Sequence, residues 1–207
     1  MGTRILTHLA KAVSIIFHPL LLPSYAVPLI LLTNPYMFGN LDQETQLRMI
    51  IIVFINTFVF PVVVIFLLKQ LNFIKSYALG EKNERHIPLI AISIFFFWCY
   101  MVFGDMPISN FLPNLLLGAS IAVFASFFIN IFFKISIHTV AAGYLVGIAF
   151  ELLHQSTYNL ESLLLLSIVM AGLVGSARMY LEAHLWDEVV SGYLIGILCY
   201  MVIFYLV

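Results

Sequence analysis

The chain has 207 residues, of which 63% are hydrophobic and 9% charged, with a formal net charge of −1 and a mean hydropathy of +1.08. So little polar surface cannot cover a water-soluble globule, so the chain belongs in a lipid bilayer and no nucleic-acid partner is expected. The nine Lys and Arg residues therefore matter by where they fall rather than by their sum. Cys99 and Cys199 each lie inside an apolar run, so neither a disulfide framework nor a Cys-based metal site is expected.

Taken in chain order, the charges divide the sequence into apolar stretches near the roughly 20 residues that a spanning helix needs. Arg4 and Lys11 precede the first stretch, but no small-residue cleavage site follows, so this segment is expected to be retained rather than processed as a secretory signal. The first span, Ala12 to Thr33, carries Pro19, Pro23 and Pro28 and is expected to be kinked or broken where their amide donors are missing. Six more follow: Met49 to Leu68, Ile87 to Phe103, Leu115 to Phe133, Ile135 to Leu153, Ser162 to Ala177 and Val189 to Val207. These stretches are apolar all round rather than alternating, which excludes a transmembrane barrel and predicts an all-α polytopic bundle of six to seven helices. No soluble domain or internal repeat interrupts residues 1–207, and the longest polar stretch is Lys69 to His86, so one membrane domain is expected.

Seven spans return the N-terminus, the 69–86 loop, the 134–138 junction and the 178–188 segment to one face. That face then holds Arg4, Lys11, Lys69, Lys75, Lys82, Arg85, Lys134 and Arg178, leaving Arg48 on the other, and the positive-inside rule makes it cytoplasmic.

Three segments on that face concentrate ionisable groups at span ends: Lys82-Asn-Glu-Arg85-His-Ile-Pro88, Ser136-Ile-His138, and Ser176-Ala-Arg178 through His184 to Glu188. Two histidines with Arg and Lys beside them suit phosphoryl transfer without a metal. The cations neutralise phosphate oxygens, one His attacks phosphorus and the other protonates the departing oxygen. His184 and Glu188 are four apart, so on a continuous helix the carboxylate can hold one ring nitrogen protonated and leave the other free to attack.

These segments resemble the signature of the type 2 phosphatidic-acid phosphatase superfamily of membrane phosphatases. Its pattern is Lys, six residues, Arg-Pro; then Pro-Ser-Gly-His; then Ser-Arg, five residues, His, three residues, Asp. Here Arg178 and His184 keep the five-residue gap, Glu188 stands at the Asp position, and Ser136 and His138 match the second part in spacing. The resemblance runs from about residue 75 to 192, within a family-like core of about 75–207. Ile135 and Ile137 replace the family's Pro and Gly, His-Ile-Pro follows Arg85, no Lys lies seven residues before it, and Ala177 replaces Ser.

The resemblance implies that His184 is the nucleophile of a phosphohistidine intermediate, Glu188 its orienter and His138 the general acid. Arg85, Arg178, Lys82 and Ser136 would bind the phosphate of a membrane-anchored lipid phosphomonoester or diphosphate, with no cofactor. Many members act on the outer or lumenal face, against the orientation that the basic residues indicate.

Structural readings compete at each position. His8, His18, His86 and His154 read as structural hydrogen bonders, and Arg85 and Arg178 could be snorkelling anchors. Glycines spaced three or four apart, such as Gly143 with Gly147 and Gly192 with Gly196, read as close helix packing. The departures from the pattern raise the alternative of a lapsed relative that binds lipid phosphate or scaffolds a complex. A small transporter fits less well, because the charges sit at span ends rather than within the spans.

Overall fold

A computed structural model describes residues 2–34, 38, 41–77, 79–106, 108–155 and 160–206. Every regular element among them is helical: α1 (Gly2–Ile16), α2 (Leu22–Thr33), α3 (Gln43–Phe54), α4 (Phe60–Gln70), α5 (His86–Gly104), α6 (Phe111–Phe132), α7 (Ile137–Gln155), α8 (Glu161–Tyr180) and α9 (Trp186–Leu206). They make seven rods long and apolar enough to cross a membrane. Large apolar side chains such as Leu67, Phe97, Trp98, Leu165, Ile168 and Phe204 point outward, as helices solvated by lipid require. The all-α membrane bundle expected from composition is the fold observed.

The first rod departs from expectation in where it starts. The helix begins at Gly2, ten residues before the apolar stretch, because the Arg4 to Lys11 segment is a good helix former that hydropathy alone passes over. It breaks at the expected prolines. His18 is extended (φ −66°, ψ 133°) and caps a 3-10 turn, Pro19–Leu21, its Nδ1 accepting the Leu20 amide at 3.4 Å. Pro28, by contrast, is carried within α2. The second rod is longer than its apolar core, running from Gln43 to Gln70 through a π-helical turn at Ile55–Val59. Pro61, just beyond that turn, has no amide to give the Thr57 carbonyl, and the extra residue of a π turn absorbs the mismatch. The fifth rod, α7, starts at Ile137 rather than Ile135, because Phe133 is extended (φ −139°, ψ 152°) and ends α6.

Two features bring the functional segments together. The first is the contact between α7 and α9. A methyl added to Gly143 would strike the Tyr193 backbone, to Gly192 the Thr139 hydroxyl, and to Gly196 the Val140 carbonyl. Their hydrogens let the two backbones approach as side-chain-bearing helices cannot. The second is a set of hydrogen bonds among the inter-helix connections. Lys82 Nζ donates to the Ile131 carbonyl (2.8 Å), the Asn130 amide to the Lys82 carbonyl (2.8 Å), Lys134 Nζ to the Ala183 carbonyl (3.0 Å) and the Ser136 amide to the Glu188 carbonyl (3.2 Å).

Gly192→Ala should therefore lower thermal stability by about 1–3 kcal/mol, the usual range for overpacking, as helix separation opposes the new methyl. Gly172→Ala, with no atom within 4 Å, should be neutral or slightly stabilising. Equal melting temperatures for the two variants in detergent would show that the α7 and α9 contact is not tight.

Candidate active site

Six of the seven expected residues gather at the connections, and four of them, Arg85, His138, Arg178 and His184, line one cavity. His184 lies between α8 and α9, in a turn made by the end of α8. There Glu182 adopts a left-handed conformation (φ 52°), the Ala183 amide bonds back to the Arg178 carbonyl (3.1 Å) and the Glu182 amide to that of Met179 (2.9 Å). This is a Schellman ending with a glutamate in the place that glycine favours. It turns the chain so that His184 is 6% exposed, with its Nδ1 2.5 Å from the Glu188 carboxylate in the first turn of α9. A carboxylate only accepts, so Nδ1 carries the proton and Nε2 keeps its lone pair. Glu188 Oε2 is held in turn by the Leu185 amide at 3.4 Å.

Burial lowers the pKa of His184 to about 3, helped by the nearby cations of Arg85, Arg178 and Lys134 and against the pull of the Glu188 carboxylate. At neutral pH the ring is uncharged, the form in which a nitrogen can act as a nucleophile.

Ser136 and His138 flank the start of α7. The Ser136 carbonyl accepts the Val140 amide at 3.0 Å, which places Ser136 at the head of the helix. A serine there usually turns its hydroxyl to the first-turn amides. This hydroxyl is buried and has no partner. His138 Nε2 is 3.2 Å from the Ser14 carbonyl of α1, so Nε2 carries the proton and Nδ1 is the atom available to a ligand.

The two arginines approach from different helices. Arg178, in the last turn of α8, gives Nη1 to the Ser14 hydroxyl (3.4 Å), while its buried Nε has no partner. Arg85, 5% exposed, gives Nε to the Leu79 carbonyl (2.7 Å) and Nη1 to the Ile135 carbonyl (2.9 Å). Leu79 holds a left-handed backbone (φ 47°) to present that carbonyl, a conformation costing a branched residue about 1–2 kcal/mol. His18, Arg85, His138, Arg178 and His184 line one cavity of about 150 Å³.

Lys82 is not in that wall; its ammonium is bound to the carbonyls of Ile131 and Phe132 at the end of α6. Two residues outside the expected set are in place instead. Ser14 contacts both His138 and Arg178, and the His18 ring meets that of His138 edge-on with centroids 5.4 Å apart. The signal for His18 was its position beside Pro19 and before Pro23, where a helix break can return a side chain to the connections. Among the described residues, no group of three or more His, Cys, Asp or Glu side chains is placed to hold a metal ion.

Residues 108–207 match the family model of the PAP2 superfamily, a segment that includes Ser136, His138, Arg178, His184 and Glu188 and leaves Arg85 and α1 to α5 outside it. No curated protein and no solved structure matches the chain.

Because folding holds the pKa of His184 below its ordinary value of 6.5, the unfolded chain takes up its proton first as pH falls. Stability from this residue is complete above pH 6.5 and is lost as pH falls below it. Melting temperatures in detergent should decline below about pH 6.5, and His184→Gln should shrink that decline; an undiminished decline in the variant would assign it to other groups.

Proposed function

We propose, from the match of residues 108–207 to the family model of the PAP2 superfamily, whose members are phosphatases, that the chain hydrolyses a lipid phosphomonoester or diphosphate through a phosphohistidine. The observation that carries this reading is a neutral His184 with a free Nε2 lining one cavity with Arg178, whose buried Nε has no partner. An unsatisfied buried donor costs about 1–3 kcal/mol, and a phosphate oxygen is the acceptor that a guanidinium N–H suits.

The substrate phosphate sits between the guanidinium groups of Arg85 and Arg178. Nε2 of His184 attacks phosphorus, the bond from phosphorus to the ester oxygen breaks, and Glu188 stabilises the imidazolium that forms. His138 acts as an imidazolium, a form that the bound dianion favours. Its Nε2–H stays on the Ser14 carbonyl and its Nδ1–H passes to the departing oxygen. Water then attacks the phosphorus, surrendering a proton to Nδ1 of His138. The bond from phosphorus to nitrogen breaks, releasing inorganic phosphate and restoring both rings. Each proton transfer of this kind is worth about 10²- to 10⁴-fold in rate.

We propose also that the site faces the cytoplasm, on the basis of the Lys and Arg residues around the connections. Even without Lys82 and the arginines of the site, Arg4, Lys11, Lys69, Lys75 and Lys134 outnumber Arg48.

Purified in detergent, the wild type should release phosphate from a lipid-phosphate panel, and His184→Ala should be inactive; equal activity would exclude His184 as nucleophile. Glu188→Gln should reduce kcat by about 10²- to 10⁴-fold, as loss of an orienting carboxylate does elsewhere. For orientation, Ser76→Cys in a chain lacking Cys99 and Cys199 should resist an impermeant thiol reagent on intact cells and react once they are permeabilised. Labelling of intact cells would place the site outside.

A further inference from the structure

The break in the N-terminal rod leaves one polar side chain on a wall that is otherwise apolar. Pro19, Leu20, Leu22, Pro23 and Ala26 line the cavity with no polar side-chain atom, and His18 stands beside them. A histidine among apolar neighbours gives up water and needs partners for both ring nitrogens. One partner is in place: Nδ1 accepts the Leu20 amide at 3.4 Å, so the lone pair lies there and Nε2 carries the proton. Nε2–H is thus a donor on a ring that lines the same cavity as Arg85, Arg178 and His184.

Capping alone does not account for a histidine at this position. Asn, Asp and Ser cap a helix start with shorter side chains, and none of them sets a ring against that of His138. The two rings meet edge-on with centroids 5.4 Å apart, near enough for both to touch one phosphate. The bond to the Leu20 amide has a second effect. While Nδ1 accepts it, the ring takes up no proton there, so His18 stays neutral beside a His138 that must become an imidazolium. Two adjacent imidazolium rings would repel. Lys82, the remaining cation expected to meet the phosphate, is turned to the Ile131 and Phe132 carbonyls and leaves a place for another donor.

Resting on the phosphatase reading, we propose that His18 is a substrate-binding residue, its Nε2–H donating to a non-bridging oxygen of the substrate phosphate. This is the N-terminal rod's own contribution to the site, from outside the segment 108–207 that the family model matches. A neutral donor of this kind serves the ground state and the transition state about equally, so it acts on affinity rather than on the chemical step.

The full-length protein in detergent would be tested with inorganic phosphate, by the rise in melting temperature that a bound ligand produces, and with the lipid phosphate that it hydrolyses best. His18→Asn keeps an acceptor for the Leu20 amide but does not reach the position of Nε2. Without phosphate it should melt as the wild type does. It should need about 10- to 100-fold more phosphate for the same rise, as loss of a hydrogen bond to a charged group implies, and the loss in turnover should fall in KM rather than kcat. His18→Gln brings an amide N–H to the reach of Nε2 and should recover most of the affinity. Unchanged phosphate affinity and KM in His18→Asn, a loss confined to kcat, or no recovery in His18→Gln overturns this inference and leaves the phosphatase reading standing. A wild type that neither hydrolyses a lipid phosphate nor is stabilised by phosphate overturns that reading, and this inference with it.

Discussion

The close approach of α7 and α9 is the constraint on which the rest of the site depends. His184 and Glu188 enter α9, while Ser136 and His138 enter α7, so the two halves come together only if these helix starts touch. The hydrogens of Gly143, Gly192 and Gly196 permit that contact, and the hydrogen bond from the Ser136 amide to the Glu188 carbonyl fixes its register. In lipid there is no hydrophobic drive between helices, so backbone proximity and polar bonds must supply the association. Here the same contact supplies both cohesion and alignment. The site is a consequence of helix packing rather than a loop laid over it.

A second layer comes from the N-terminal rod. The break at Phe17 to Leu21 lets Ser14 reach His138 and Arg178 and brings His18 beside them. An unbroken helix of this length would carry these groups past the site. Pro19 therefore acts here as a placement device: the chain turns where its donor is missing, and His18 satisfies the Leu20 amide exposed there. The Ser14 carbonyl also sets which nitrogen of His138 faces the cavity, a choice that decides its protonation chemistry.

Much of this was legible in the residues. Hydropathy located all seven rods, the prolines marked the break in the first, and glycine spacing signalled tight packing. His184 and Glu188 are hydrogen-bonded, but across the turn that precedes α9 rather than along one face of a continuous helix, as their spacing alone suggested. What could not be read locally was set by contacts distant in sequence. Lys82 has the charge for a phosphate ligand, but the open carbonyls at the end of α6 take its ammonium instead. The placement of His18 beside His138 left no local sign, because only folding brings residue 18 against residue 138. The start of α7 was misplaced by two residues, since an apolar pair such as Phe133 and Ile135 looks the same to a hydropathy scale whether extended or helical.

The central claim is that His184 is a nucleophile, and trapping its covalent intermediate tests it most directly. Rapid acid-free quenching during turnover of a radiolabelled lipid phosphate, followed by peptide mapping, should find an acid-labile, base-stable phosphoryl group on His184, and none in His184→Ala. Turnover with no label on this ring, or with label on another residue, would contradict the account.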